Sequence, residues 1–187
     1  IIYNNHNERL PVNKGDVFSG EDLIKNLNVN LNIEKYSLEP GGQIEWSSEP
    51  YINLIDLSKA QKHHRHRLEK VLMNNNLKVI SYGVEPNFLP EKINLIEEKK
   101  YILMDNNMIQ NGTMGRWMMR NTASVQINFD FTSEQELNEI VFIADCINPI
   151  SAYLFSNSPF MEGEKIKDKN LRNIIWENTD NVRCRNL

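Results

Sequence analysis

At 187 residues, 40% hydrophobic and 25% charged, the chain can bury a core of its own and has the composition of an ordinary soluble globular protein. Its formal charge of −4 supplies no basic excess to neutralise phosphates, which excludes nucleic acid as a main partner. No apolar run approaches the roughly 20 residues that a membrane helix needs, so no membrane partner is expected. Two cysteines, Cys146 and Cys184, are too few for a disulfide framework and point to a reducing cytoplasm. The chain opens at Ile1 without an initiating methionine, which reads as an excerpt of something longer.

Residues 1–33 are polar, asparagine-rich and poorly patterned, with one short helical stretch at Gly20 to Asn28. Residues 34–39 and 43–47 read as two strands joined by a turn at Pro40, Gly41 and Gly42, where proline fixes φ and the glycines accept positive φ. Beyond the turn Gln43, Glu45 and Ser47 point one way, and Ile44 and Trp46 the other. Glu39 and Glu45 therefore stand on either side of a glycine turn. Such a pair suits a divalent cation, because Mg²⁺ takes oxygen ligands and combines carboxylates with substrate phosphates. A surface hairpin with a solvated acidic face has the same pattern, and the segment alone leaves both readings open.

Residues 58–75 read as a helix capped by Ser58, with Leu68, Val71 and Leu72 as its apolar stripe. Its His63-His64-Arg65-His66-Arg67 run sets two histidines three apart, but Lys62, Arg65 and Arg67 would repel a cation, so a solvated basic face is expected. Leu77 to Val84 reads as a buried strand, Tyr101 to Asp105 as the start of a short element, and Met114 to Arg120 as a loop or helical turn. The clearest strand is Ser124 to Phe131: Val125, Ile127, Phe129 and Phe131 alternate with Ser124, Gln126, Asn128 and Asp130. Its apolar side is expected to feed the core, and its amide-rich side to form a polar cleft floor or a wet sheet face.

Ser133 and Glu136 spell a capping box for a helix with Leu137, Ile140, Val141, Ala144 and Ile147 at helical spacing. Pro149 is expected to kink or interrupt it before the apolar run resumes at residues 152–155, and residues 157–160 form a closing turn. Strands and helices alternate irregularly. This predicts an α/β chain of the α+β kind: one domain over 1–187, with a mainly antiparallel sheet and helices on one side.

Neither a Walker-type glycine loop nor a dinucleotide fingerprint occurs, so a nucleotide would be held through metal ions and a sheet. Arg120 immediately precedes the amide-rich strand, and Arg172 and Arg183 flank Trp176, Thr179 and Asp180. Taken singly, each arginine is a surface ion-pair partner. Together with the acids and amides, their planar forks suit an anionic substrate.

Several of these segments resemble one family. Residues 37–45, Ser-Leu-Glu-Pro-Gly-Gly-Gln-Ile-Glu, resemble the Ser-Leu-Glu-Pro-Gly-Gly-Gln-(apolar)-Glu motif of plant and proteobacterial glutamate–cysteine ligases. Met118-Met-Arg-Asn-Thr-Ala-Ser-Val-Gln-Ile-Asn-Phe-Asp-Phe131 is similar to that family's Met-Met-(x)-Arg-Thr-x-(Thr/Ser)-Val-Gln-Val-Asn-Leu-Asp-Phe strand. Asn148-Pro-Ile150 with Leu154 to Phe160 resembles its Gln-Pro-Ile and Leu-Phe-Ala-Asn-Ser-Pro-Phe segment, and Arg172 to Cys184 its Arg-Ser-x-Ile-Trp-x-x-Thr-Asp-x-x-Arg pattern. The likeness runs from about residue 36 to the end, and the family's earlier Gly-x-Glu-x-Glu strand and long C-terminal part are not found. The chain therefore reads as a central, partial catalytic domain.

The resemblance implies the glutamine synthetase-like carboxylate–amine ligase fold. It also implies an ATP- and Mg²⁺-dependent reaction joining the γ-carboxylate of glutamate to the amine of cysteine through an acyl phosphate. The product would be γ-glutamylcysteine, in the first step of glutathione biosynthesis. Carried over residue by residue, Glu39 and Glu45 hold Mg²⁺ with Gln43 beside them, and Gln126 and Asn128 face metal or nucleotide phosphates. Arg120 and Arg172 serve catalysis by clamping the substrate carboxylate or acyl phosphate, and Trp176 shapes the glutamate pocket. The sequence departs from the pattern at Asn121, where Thr usually follows the arginine, at Arg116-Trp117 in place of Leu-Asp, and at Arg185-Asn186 in place of Gly-Met. A related ligase with another amine acceptor or thiol pathway, or a non-catalytic metal- or nucleotide-binding remnant, are the alternative expectations. Oligomeric state is not legible.

Overall fold

The polar N-terminal stretch folds around its few apolar residues. The computed structural model describes residues 1–111 and 113–180. In it β1 (Ile2–Asn4) pairs antiparallel with β4 (Leu77–Val79), Tyr3 opposite Lys78. Helix α1 (Gly20–Leu27) starts at a closed capping box: the Ser19 hydroxyl accepts from the Asp22 backbone N–H, and the Asp22 carboxylate accepts from the Ser19 N–H. Leu23 and Leu27, one turn apart, pack with Ile2, Tyr36 and Leu72 as a first core. Residues 1–33, unpatterned to the eye, thus supply Ile2, Leu23 and Leu27 to that core.

The expected hairpin is present as β2 (Lys35–Leu38) and β3 (Ile44–Ser47), antiparallel with Ser37 opposite Glu45. Helix α2 (Leu54–Asn74) begins a turn earlier than expected, because Asn53 and not Ser58 caps it: Asn53 Oδ1 accepts from the Asp56 N–H at 2.9 Å. His63 and His66 are exposed, but His64 turns inward. Its ring stacks on Trp46 with centroids 4.5 Å apart, and its Nδ1 lies 2.9 Å from the Tyr36 hydroxyl. Strand β4 is shorter than the expected Leu77–Val84, and Lys78 and Val79 are exposed.

A second core joins Val84, Trp117, Leu171 and Ile175. It packs α4 (Gly115–Asn121), a two-turn helix where a loop or helical turn was expected, against α6 (Leu171–Glu177). Helix α3 (Lys99–Asn111) lies on α4. Strands β5 (Phe160–Met161) and β6 (Glu164–Lys165) form a small hairpin whose loop residues, Glu162 at φ 53° and Gly163 at φ 83°, take the left-handed conformation that two-residue loops favour.

Two expectations are corrected. The single sheet is replaced, among the described residues, by three two-stranded antiparallel pairs, which keeps the α+β class. Ser124 to Phe131 forms no strand: a strand needs a neighbour for its N–H and C=O groups, and none of the described strands pairs with it. Its apolar side is accordingly open, with Val125 85%, Ile127 68%, Phe129 69% and Phe131 52% exposed. Helix α5 (Glu134–Leu154) starts at Ser133, whose hydroxyl accepts from the Glu136 N–H. The expected capping box is only half made, because the Glu136 carboxylate accepts from Thr132 instead. The helix has no buried residue. It runs through Pro149, which removes one backbone bond without ending it. Cys146 is exposed on this helix. Among the described residues no helix is long and apolar enough to cross a membrane. Arg183, Cys184 and the Arg185-Asn186 departure lie outside the described residues.

Candidate active site

The glycine turn closes on itself and then docks. Gly42 N–H donates to Glu39 O, and Glu39 N–H to Gln43 O, both at 2.8 Å. Gly42 sits at φ 77°, where an L side chain is strained. At Gly41 a β-carbon would lie 2.6 Å from Arg120 Cα, so the turn rests directly on the backbone at the end of α4. Three hydrogen bonds hold it there: Ile96 N–H to Pro40 O at 2.9 Å, Gln43 Nε2 to Thr122 O at 2.8 Å, and Arg9 Nη2 to Gly41 O at 2.6 Å. Gln43 is thereby buried and serves the docking.

The turn brings the two expected acids together. Glu39 is half-buried. Burial first, then the neighbouring Glu45 charge and a hydrogen bond between the two side chains, push its carboxyl above the usual range. Ser37 Oγ donates to Glu45 Oε2 at 3.2 Å and orients the second acid. Two converging carboxylates, one of them destabilised as an anion, would be relieved by a cation. Among the described residues no group of three His, Cys, Asp or Glu is placed to hold a metal. Two carboxylates are the number that a protein commonly gives to Mg²⁺, the rest of whose shell is substrate phosphate and water.

The remaining expected residues are placed differently from one another. Arg120 is turned inward: its Nε and Nη2 reach Asp105, at 3.2 and 2.8 Å, and its Nη1 donates to the carbonyls of Pro90 and Ile93. Arg116, one of the departures from the family pattern, bonds the same Asp105 through Nε and Nη2. Arg172 and Trp176 are brought together on α6, with the guanidinium 5.4 Å from the ring centroid. Burial lowers the Arg172 pKa, and its Nε is buried without a hydrogen bond among the described residues. Its backbone N–H donates to Ser158 Oγ at 3.0 Å, which ties the Asn-Ser-Pro-Phe turn to the base of this arginine. Trp176 is 40% exposed. Gln126 and Asn128 are exposed on the extended segment that leaves Thr122, the residue held by Gln43.

Sequence reasoning passed over the supports. Arg9 reaches Gly41 across 32 positions, and Glu85 receives the Tyr3 hydroxyl from 82 positions away. Neither pair lies in a periodic pattern that could have signalled it.

The profile of glutamate–cysteine ligase family 2 (GCS2) matches residues 7–187, and the chain belongs to this family. It is 33% identical over 150 residues to glutamate–cysteine ligase A, chloroplastic, of Oryza sativa subsp. indica, covering 80% of this chain and 30% of that protein. The chloroplastic glutamate–cysteine ligase of Arabidopsis thaliana matches equally, at 33% over 150 residues, 80% of this chain and 29% of the relative. That of Nicotiana tabacum is 31% identical over 168 residues, 90% of this chain and 32% of its own length. The chain thus spans 29–32% of the length of these relatives.

Proposed function

We propose that the chain carries part of the active site of a glutamate–cysteine ligase with the glutamine synthetase-like carboxylate–amine ligase fold. The reaction joins the γ-carboxylate of glutamate to the amine of cysteine at the expense of ATP, giving γ-glutamylcysteine for glutathione biosynthesis. The observation that carries this reading is the Glu39–Glu45 pair, converging on a turn docked at Thr122 within the span that matches the family.

In this reading Glu39 and Glu45 hold Mg²⁺, which supplies charge neutralisation to the phosphates of ATP. Gln126 and Asn128 add amide donors for phosphate oxygens. The γ-carboxylate takes the terminal phosphoryl group of ATP, and the cysteine amine then displaces phosphate from the acyl phosphate. Arg172, stacked on Trp176 with its Nε unspent, is suited to the glutamate carboxylate. Arg120, with its fork engaged by Asp105 and two carbonyls, serves this site by fixing the α4 backbone on which Gly41 rests. Cysteine usage favours a reducing compartment such as the cytoplasm.

The test is ADP release and γ-glutamylcysteine formation by the polypeptide that carries these residues, given ATP, Mg²⁺ and glutamate with or without cysteine. Cysteine-dependent turnover is expected, and Glu45→Gln should lower it by at least about 100-fold, as loss of a metal-bound charge at a phosphoryl-transfer site does. Turnover that ignores cysteine but follows another amine moves the reading to a different acceptor. Full activity in Glu45→Gln removes the metal assignment.

A further inference from the structure

Arg9 is an unusual charge to find under a loop. Its side chain is 10% exposed, and its ion-pair partner Glu85, 3.4 Å from Nε, is 0% exposed. Glu85 is itself fixed from three sides. One of its carboxylate oxygens, Oε1, accepts from the Tyr3 hydroxyl and from the Asn87 N–H at 3.1 Å, and its backbone N–H donates to Asn121 O at 2.8 Å. Asn87 Nδ2 in turn donates to the Tyr3 hydroxyl at 3.3 Å. The network joins β1, the residue 85–87 loop and the end of α4, and directs one arm of the guanidinium, Nη2, to Gly41 O at 2.6 Å.

A buried ion pair is a poor way to gain net stability, because desolvation offsets most of the attraction and apolar replacements are often as stable or more so. Here the penalty is visible: among the described residues, Arg9 Nη1 and Nε and Glu85 Oε2 are buried without a hydrogen bond. What the pair does deliver is a charge-assisted bond to one particular carbonyl, and charge-assisted bonds are short, strong and directional. That carbonyl sits in the Pro40–Gly42 turn, between Glu39 and Glu45.

We infer that Arg9 is a positioning residue for the acid pair: anchored by Glu85, it holds the Gly41 carbonyl and so sets how Glu39 and Glu45 converge on a cation. The inference rests on the metal reading of these two acids. Its own content is that removing Arg9 lowers affinity for the cation in the molecules that remain folded, apart from the stability lost by leaving Glu85 buried without its partner.

The experiment is Mn²⁺ titration of the protein by electron paramagnetic resonance and water-proton relaxation, without nucleotide, with thermal unfolding measured in parallel. Wild type, Arg9→Met, Arg9→Lys, Glu85→Gln and Glu45→Gln are compared per folded molecule. Arg9→Met is expected to bind Mn²⁺ about tenfold more weakly, the lower end of what losing an outer support of a metal site costs. Arg9→Lys, which can still donate to Gly41 O but lacks the fork, should recover part of that loss, and Glu85→Gln should weaken binding in the same direction as Arg9→Met. Wild-type Mn²⁺ affinity in Arg9→Met and Glu85→Gln overturns the inference and leaves the metal reading standing. Should Arg9→Met fail to fold, Arg9→Lys and Glu85→Gln decide: unchanged affinity in both overturns it equally. No Mn²⁺ binding by wild type, or binding that Glu45→Gln does not weaken, overturns the metal reading and the inference with it.

Discussion

Gly41 meets the backbone of Arg120 where any other residue would place its β-carbon, and a backbone cannot swing aside as a side-chain tip can. Gly41→Ala should therefore destabilise the protein by about 1–3 kcal/mol, the usual cost of overpacking a tight site. The loss would be read as a lower urea midpoint with an unchanged denaturant slope. Gly163 provides the contrast. It has φ 83°, but a β-carbon there would meet nothing within 4 Å. Gly163→Ala should thus cost only the left-handed penalty of roughly 1–2 kcal/mol and leave the acids undisturbed. Equal Mn²⁺ affinity in the two variants would deny the docked turn any part in arranging Glu39 and Glu45.

At the scale of elements, the hairpin is held on its other side by α2 through His64, which stacks on Trp46 and shares a hydrogen bond with Tyr36. Burial, aided by Arg65 and opposed by Glu34, lowers the His64 pKa below its ordinary 6.5, while burial and Glu34 push the Tyr36 hydroxyl up to about 12. The neutral imidazole is thus the folded form. Above pH 6.5 neither state carries the His64 proton and this packing contributes in full. As pH falls below 6.5 toward the lower folded value, the unfolded chain takes up the proton first and stability is lost. The urea midpoint should fall between pH 7.5 and 5.5 more steeply for wild type than for His64→Gln, and parallel slopes would remove His64 from the account. Glu39, raised by burial and Glu45, acts in the opposite sense at lower pH, so the comparison with the mutant is what isolates the histidine.

Across the whole molecule, what the sequence made legible was local. The hairpin, α1 and the start of α5 depend on residues within about ten positions of one another: a glycine turn, a short helical stretch whose Ser19–Asp22 box only the structure revealed, a Ser-x-x-Glu pair. The acid pair was legible for the same reason, since the turn alone makes Glu39 and Glu45 neighbours. Ser124 to Phe131 shows where this ends. Its alternation is real, but alternation states only which sides differ; burial requires a neighbouring strand and a packed layer, which the segment itself cannot encode. Strand β1 was passed over because three residues carry too little pattern, and Arg9 because its partner is far along the chain. The open apolar residues have a measurable consequence. Phe129→Ser with Phe131→Ser should change unfolding free energy by no more than about 0.5 kcal/mol, as exposed substitutions do, while reducing light scattering from concentrated protein. A large loss of stability would mean that these rings are covered in solution.

The contact between Gly41 and Arg120 also bears on how this region can vary by descent. The hairpin meets α4 through main-chain atoms that every amino acid carries, so the side chain at 120 can be exchanged without a clash at the turn as long as its replacement still fixes the α4 backbone against Asp105. Position 41 has no such freedom. A side chain at 41 would have to displace main chain, whereas a new one at 120 would have to displace only side chains of the charged cluster behind the seat.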